Sequence, residues 1–258
     1  MRSSLSFPAS GAALVTGGSG GIGASVVRLL AERGSRVAIT WRGNERAAAA
    51  VAEFAAEWGV HASLHRLDVS SPEECARVVA DAAEEHGGLH TVVHAAGPHV
   101  AMTHLSRIAP ADMAAQLQAD AAGFFNLIHP ALPFLRERQG SIVAVTTAAT
   151  TRYPVRDGLS AGPKGAVEAL VRGLAAEEGR FGIRVNAVGP GMLSDGMAER
   201  LVASGDLGED ALEVTRGNIA LRRFGTSHDI AEAVCFLASD AAGFVSWQKL
   251  DVDGGYGV

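Results

Sequence analysis

The stretch Thr16-Gly17-Gly18-Ser19-Gly20-Gly21-Ile22-Gly23 decides the fold. It follows a short apolar run, Ala12–Thr16, and opens a segment with helical character, Gly21–Arg33. Between a strand and a helix, glycines let the backbone approach a pyrophosphate group, which the N–H groups and the positive dipole of the helix can bind. The stretch therefore predicts a phosphate-binding turn, and the alternative is a tight turn that binds no ligand.

Short β-branched runs alternate with alanine-rich helical stretches along the rest of the chain. After the first strand, the predicted strands are Arg36–Thr40, His61–Leu67, Thr91–Ala95, Ser141–Thr146, Ile183–Val188 and Lys249–Val252. Strict alternation predicts a parallel sheet with helices on both faces, a doubly wound Rossmann α/β fold. No repeat or linker interrupts it, so residues 1–258 are predicted to form a single domain.

Composition excludes several classes of function. Hydrophobic residues make up 48% of the chain and charged residues 19%, as in globular proteins with a large core. The net charge of −6 offers no footprint for nucleic acid or an anionic membrane. The chain shows no signal-like start and no apolar run long enough to span a bilayer. Cys75 and Cys235 fit no metal spacing, and buried thiols in a reducing cytoplasm are the expectation.

Further motifs accompany the glycine-rich turn. They are Leu67-Asp68-Val69, Val93-His94-Ala95-Ala96-Gly97, Arg184–Gly191, Leu221–Gly225 and Asp251–Gly255. Together with Thr-Gly-x-x-x-Gly-Ile-Gly, they resemble the short-chain dehydrogenase/reductase family almost from end to end. In the second motif both asparagines of the family are replaced. The resemblance implies a nicotinamide cofactor bound by Gly17, Ser19, Gly21, Ile22, Gly23, Asp68, Val69, Ala95, Ala96, Gly97, Lys164, Pro190 and Gly191.

The end of the second strand bears on which cofactor binds. Rossmann sites that prefer NAD place an acid there, which binds the ribose hydroxyls. In this chain Trp41 stands at that place and Arg42 follows it. A guanidinium group binds a 2′-phosphate well, so NADPH is predicted over NADH. The alternative is that Arg42 is a solvated surface residue.

The resemblance also implies four catalytic positions, and three of them differ from the family. Lys164 matches the family's lysine, which binds the ribose and lowers the pKa of a tyrosine. Thr147 stands for the carbonyl-orienting serine and keeps a hydroxyl. Ser160 replaces the proton-donating tyrosine, and Asp120 replaces the asparagine that supports a proton-relay water. An aliphatic hydroxyl is a much weaker acid than a phenol.

Two interpretations address the missing donor. Because proline is tolerated only in a helix's first turn, Pro163 predicts a helix that begins near Ser160, with Ser160 as its cap. Tyr153, in the preceding loop, is the leading candidate for the acid, and the alternative is a loop anchor. The dienoyl-CoA reductase branch of the family can also carry serine at this place with its tyrosine upstream, although the spacing differs.

Histidines and the substrate side complete the predicted site. His94, His99 and His104 cluster after the fourth strand as acid or base candidates, or as structural or solvated residues, and no metal site is predicted. Residues 192–218 should form a variable lid. Its apolar residues are Met192, Leu193, Met197, Leu201, Val202, Leu207 and Leu212. The alternative is that these residues pack the lid onto the core.

Two functions stay open at this point. The first is an NADPH-dependent oxidoreductase that reduces a carbonyl or activated enoyl group of a hydrophobic or acyl-thioester substrate. The second is a cofactor-binding protein without redox turnover, with a regulatory, structural or non-redox biosynthetic role. The resemblance implies a homodimer or homotetramer that forms through the helices within 108–137 and 159–179, with a second interface at the C-terminal strand and tail.

Overall fold

The computed structural model describes residues 6–97, 100–195 and 209–258. Seven strands form one sheet in the order β3-β2-β1-β4-β5-β6-β7, and all neighbouring strands are parallel. The strands are β1 (Ala12–Thr16), β2 (Val37–Trp41), β3 (Ala62–Arg66), β4 (Leu89–His94), β5 (Ser141–Val145), β6 (Arg184–Pro190) and β7 (Lys249–Val252). The predicted parallel sheet is confirmed.

Helices connect the strands and cover the sheet. They are α1 (Gly21–Glu32), α2 (Glu45–Glu57), α3 (Pro72–His86), α4 (Pro110–Leu117), α5 (Gly123–Arg138), α6 (Gly158–Glu178), α7 (Glu209–Asn218) and α8 (Ser227–Ala238). A π-helical turn, Gln118–Ala122, joins α4 to α5. The long helical region predicted within 108–137 is confirmed. Of the predicted lid, residues 196–208, with Met197, Leu201, Val202 and Leu207, lie outside the described residues.

The five central strands, β1, β2, β4, β5 and β6, are buried on both faces. In β1, Ala12 and Leu14 belong to an apolar layer shared with α3, α5 and α6. Ala13 and Val15 belong to the opposite layer, with α1, α2 and α8. Because both faces are covered, parallel strands consist of nearly continuous apolar runs, which is how β1 appears in the sequence.

Sheet topology places a binding crevice at the carboxyl ends of the central strands. The chain runs outward from β1 to β3 on one side, then returns to β4 on the other. Where strand order reverses in this way, the loops after the strands separate and leave a crevice at their carboxyl ends. The candidate site should therefore lie beyond Thr16 and His94, which end β1 and β4. Among the helices of the described ranges, none is both long and apolar enough to cross a membrane.

Candidate functional site

The glycine-rich turn has a backbone path that side chains would block. Gly17 has φ of 68°, in the left-handed region that favours glycine. A Cβ at Gly17 would lie 2.9 Å from the carbonyl oxygen of Ala95, and a Cβ at Gly23 would collide with the Gly17 carbonyl. The turn therefore lies against both the loop after β4 and the first turn of α1, which leaves its outer surface open.

The amino end of α1 faces that open surface. Gly20 is the N-cap residue and offers no side chain to the first N–H groups of the helix. Thr16 joins the turn to the loop after β4, because its Oγ1 accepts a hydrogen bond from the Ala96 N–H at 3.2 Å. Uncapped N–H groups at a helix N-terminus fit the pyrophosphate of a dinucleotide. The structure thus provides a cradle of the predicted kind.

A cavity of about 650 Å³ extends from this turn along the ends of β1, β2 and β4. Eight of the predicted cofactor-binding residues line it: Gly17, Ser19, Arg42, Asp68, Val69, Ala95, Ala96 and Gly97. Gly21, Ile22 and Gly23 form the first turn of α1 behind the glycine turn. Pro190 ends β6, and the N–H of Gly191 donates to the Val252 carbonyl at 3.0 Å. Those two residues are not part of the cavity lining.

Arg42 and Asp68 line the cavity where β2 and β3 end. Arg42 is exposed and follows β2, so its charge is available to a ligand. The N–H and Oγ of Ser70 donate to Asp68 Oδ1 at 3.0 and 2.8 Å. These hydrogen bonds lower the pKa of Asp68, with a smaller contribution from Arg42. The end of β2 therefore presents a cation, as a 2′-phosphate requires.

Lys164 and Asp120 form an ion pair at the other end of the site. Lys164 Nζ lies 2.7 Å from Asp120 Oδ1, and the two side chains are 12% and 1% exposed. Gln116 Nε2 donates to the other oxygen, Oδ2, at 2.9 Å. A Cβ at Gly97 would lie only 3.4 Å from Lys164 Nζ, so the ammonium group sits beside the loop that lines the cavity. The predicted lysine and the Asp120 replacement are therefore brought together.

The π-helical turn accounts for the position of Asp120. It inserts one wide turn, Gln118–Ala122, between α4 and α5, and Asp120 lies at its centre. Such turns are rare, and many of those that occur are found at functional sites. Behind it, Gly123 lies close enough to Val69 that a Cβ would come within 2.9 Å of Val69 Cγ2. Asn126 Nδ2 also donates to the Val69 carbonyl at 3.1 Å, which joins α5 to the cavity wall.

Thr147 lies just beyond the carboxyl end of β5. Its Oγ1 accepts from the Ala149 N–H at 3.1 Å and thereby caps a short 3₁₀ turn, Ala148–Thr150. The hydroxyl hydrogen does not take part in that bond. Thr147 can therefore donate a hydrogen bond to a substrate oxygen while its orientation is fixed by the turn.

The Lys164 helix begins near Ser160 as predicted, but the predicted cap at Ser160 is wrong. α6 begins at Gly158, Asp157 is its N-cap, and Ser160 is the third helical residue. The Asp157 carbonyl accepts from the N–H groups of Ser160 and Ala161 at 3.0 and 2.9 Å. Pro163 lies inside the helix, where it removes the single N–H that would bond to the Leu159 carbonyl. Since only this bond is lost, the helix extends past the proline in both directions.

Asp157, the N-cap of α6, was not among the candidate residues predicted from the sequence. Burial raises the pKa of its carboxyl from 3.8 to about 6, and a hydrogen bond from the Ser160 side chain opposes the increase. Ser160 is one helical turn before Lys164, so both side chains lie on the same face of α6. A carboxyl group that titrates near neutral pH therefore stands next to the hydroxyl that replaces the family's tyrosine.

Tyr153 is not part of the pair formed by the Ser160 hydroxyl and the Asp157 carboxyl. Its side chain is 48% exposed, and its Oη is 3.2 Å from the position of a Cβ on Gly158, beside Leu105. The phenol therefore rests on the first turn of α6, near its amino end. This position is compatible with either the anchor or the acid considered for it.

The three candidate histidines differ in their surroundings. His94 is buried, and its Nδ1 lies 3.2 Å from Thr16 Oγ1. Burial, helped by Lys164, lowers its pKa to about 3, which favours the neutral ring at physiological pH. His104 is exposed before a 3₁₀ turn. His99 lies outside the described residues.

The sheet, glycine turn and cavity define a dinucleotide-binding protein of the doubly wound α/β class. A family model described as enoyl-(acyl carrier protein) reductase matches residues 17–257. The 3-oxoacyl-[acyl-carrier-protein] reductase FabG of Staphylococcus epidermidis is 33% identical over 244 residues, which are 94% of this chain and 97% of that protein. Versicolorin reductase 1 of Aspergillus parasiticus is 32% identical over 249 residues, 94% and 95% of the two chains.

Solved structures agree with this assignment. The crystal structure of a short chain dehydrogenase from Burkholderia cenocepacia in complex with NADP has a TM-score of 0.87 and 31% identity, and the match covers 96% of this chain and 98% of that one. The chain belongs to the short-chain dehydrogenase/reductase family, a family of oxidoreductases. The resemblance in the sequence motifs is thus confirmed, and the NADP complex of this relative supports the predicted cofactor.

Proposed function

We propose that this protein reduces the carbonyl group of an acyl-thioester substrate with NADPH. The observation that carries the proposal is the continuity of the site. The cavity runs from the glycine turn to Gly97, and the Lys164 ammonium group lies beside Gly97, 3.4 Å from where a Cβ of that residue would be. A cofactor that fills the cavity would end beside the hydroxyl and carboxyl groups of α6.

The residues present fit NADPH. The turn at Gly17 admits only backbone near the pyrophosphate, and the amino end of α1 is uncapped. Arg42 would pair with the 2′-phosphate, and Asp68 and Val69 would border the adenine. Lys164 would hold the ribose next to the nicotinamide, as the resemblance implies. Bound NADPH supplies the hydride that such a reduction consumes.

Thr147, Ser160 and Asp157 would bind and protonate the substrate oxygen. Thr147 would donate a hydrogen bond to the carbonyl and orient it. Hydride addition to the carbonyl carbon would shift the C=O π electrons to the oxygen, which would then need a proton. Ser160 would pass its proton to that oxygen and take one from the Asp157 carboxyl, which leaves Asp157 ionised and NADP⁺ as the oxidised product. Tyr153 is the competing donor.

Three variants separate the two donors. Oxidation of NADPH is followed by its absorbance with a 3-oxoacyl thioester, a dienoyl thioester and a cyclic ketone as substrates. We expect Ser160→Ala and Asp157→Asn to lower kcat by about 10²–10⁴-fold, the usual range for loss of a general acid, and Tyr153→Phe to leave it within a few fold. A large loss of kcat in Tyr153→Phe, together with a normal kcat in Asp157→Asn, would show that the tyrosine is the proton donor.

One observation favours a second function, a cofactor-binding protein without redox turnover. The direct ion pair with Asp120 engages the Lys164 ammonium group, which the family uses for ribose and proton relay. In that case NADPH would bind tightly but would not be consumed with any member of the substrate panel. Restoring the family's residue with Asp120→Asn should then increase turnover if the ion pair is what suppresses it.

We also propose that the chain self-associates through two surfaces. Phe125 and Leu117, on α5 and α4, are 45% and 39% exposed. Near the C-terminal strand, Phe244, Trp247 and Leu250 are exposed as well. Exposed apolar side chains in these two regions fit a two-fold symmetric dimer or tetramer. Light scattering tests this, and a monomer at micromolar concentration would contradict it.

A further inference from the structure

A second cluster of chemically active side chains lies at the opposite end of the sheet. His61 precedes β3, and Glu85 and His86 are the last two residues of α3. The cavity borders the other end of β3, at Asp68. At about 3.3 Å per residue, a five-residue strand separates the two ends by roughly 16 Å. The cluster is therefore distinct from the dinucleotide site.

Its donor atoms converge. His61 Nε2 lies 2.9 Å from Glu85 Oε1, and the rings of His61 and His86 have centroids 4.7 Å apart. One ligand atom from each of the three residues lies within 4.8 Å of the others. Donors that each bind one Zn²⁺ at about 2.0–2.2 Å are about 3.3–3.6 Å apart in tetrahedral geometry. Small rotations of the exposed His61 and Glu85 side chains would bring the ligand atoms to this spacing.

His86 is the observation that distinguishes this cluster from an ordinary surface ion pair. Its side chain is buried, with a relative exposure of 2%. Its Nε2 lies 2.8 Å from Ser63 Oγ, while its Nδ1 is buried without a hydrogen-bond partner. A buried polar atom is nearly always paired, so a free ring nitrogen beside two donors indicates a ligand. The hydrogen bond with Ser63 orients the ring. Metal-binding histidines are usually oriented in this way, by a hydrogen bond at the ring nitrogen that does not bind the metal.

We propose that His61, Glu85 and His86 bind one Zn²⁺ ion, with water completing the coordination. Two imidazoles and a carboxylate are ligands that zinc and its late first-row neighbours prefer, whereas Mg²⁺ and Ca²⁺ prefer oxygen alone. The ion would join the edge strand β3 to the carboxyl end of α3. Because it lies far from the cavity, it would stabilise the fold rather than take part in hydride transfer.

Titration calorimetry of the tag-free, chelator-treated protein with ZnCl₂ tests the proposal. We expect one Zn²⁺ per chain and a higher melting temperature when Zn²⁺ is added. His61→Gln and Glu85→Gln change exposed side chains. Each should weaken Zn²⁺ binding by at least about tenfold, since a loss of that size is typical even when only a hydrogen-bond partner of a metal ligand is changed. Both variants should fold normally by circular dichroism in the absence of metal.

His228→Gln is the matched control. His228 Nε2 lies 3.7 Å from Glu232 Oε1, and both side chains are exposed, with 65% and 48% relative exposure. This variant should bind Zn²⁺ as the wild-type protein does. If wild-type protein binds no Zn²⁺, or if His61→Gln binds it with unchanged affinity, the proposal is overturned. None of these outcomes depends on oxidoreductase activity.

Discussion

The glycine turn after β1 and the amino end of α6 lie in the same site but depart from the family to different degrees. The turn keeps the family's glycines, and at Gly17 and Gly23 a side chain would run into backbone. On α6 the family's tyrosine is a serine, and on the π-helical turn its asparagine is an aspartate. Those replacements are no larger than the originals and meet no steric obstacle.

The difference separates cofactor binding from proton transfer. Binding at the turn depends on backbone shape, which tolerates almost no substitution. Proton transfer depends on the ends of a few side chains, which can be exchanged while the fold stays intact. Substitutions in the two regions should therefore affect different measurements, in stability, in affinity and in pH dependence.

The largest effect is expected from Lys164→Met. This change leaves the Asp120 carboxylate buried without its cation, since Asp120 is 1% exposed. Breaking a buried pair in this way costs about 3–5 kcal/mol, which urea denaturation would measure as a lower free energy of unfolding. The double variant Lys164→Met/Asp120→Asn, which removes both charges, should recover most of the loss. A single variant as stable as the wild type would show that the pair is not desolvated.

Gly23→Ala should act mainly on cofactor affinity. The new Cβ would collide with the Gly17 carbonyl and displace the glycine turn. Overpacking costs about 1–3 kcal/mol, so we expect NADPH binding, followed by fluorescence, to weaken about 10- to 100-fold. Gly173→Ala is the matched control, because a Cβ there meets no atom within 4 Å. Equal losses in the two variants would refute the steric explanation.

Arg42→Ala should change cofactor preference by a smaller amount. The side chain is exposed at the cavity edge, so its contact with a 2′-phosphate would be partly screened by solvent. We expect NADPH affinity to fall by about tenfold, near 1.4 kcal/mol, while NADH affinity stays unchanged. If wild-type protein binds NADH more tightly than NADPH, the assignment of Arg42 is wrong.

Asp157→Asn should alter how stability depends on pH. The pKa of Asp157 is raised from 3.8 to about 6 in the folded protein, so ionising this carboxyl destabilises the fold. The wild-type protein should therefore lose stability relative to the variant as the pH rises from about 4 to about 6. Below that window the two proteins should differ by a constant amount. A difference that does not change with pH would contradict the raised pKa.

Local signals explain what could be predicted from the sequence. β1 and β7 have the predicted bounds. The start of α3 carries an equally local signal, because Ser71 and Pro72 form a cap that needs only neighbouring residues, and Ser71 Oγ accepts from the Glu74 N–H at 3.1 Å. The residues that line the cavity followed from strand order and family motifs.

Tertiary contacts explain what was missed. Asp157 is half-buried because the segment after β4 pairs with it, and the Thr103 N–H donates to the Arg156 carbonyl at 2.9 Å. The proline rule placed the cap of α6 too late, because one missing hydrogen bond did not stop the helix. The meeting of His61 with His86 depends on the packing of α3 against β3, which no spacing in the sequence indicates.

The pH dependence of kcat/KM for NADPH oxidation with a 3-oxoacyl thioester tests the central proposal most directly. If the protonated Asp157 carboxyl supplies the proton through Ser160, kcat/KM should fall as the pH rises through about 6. The Asp157→Asn variant should lack this decrease and be slow throughout. No NADPH consumption despite tight binding would contradict a reductase, and an unchanged pH profile in the variant would contradict Asp157 as the proton source.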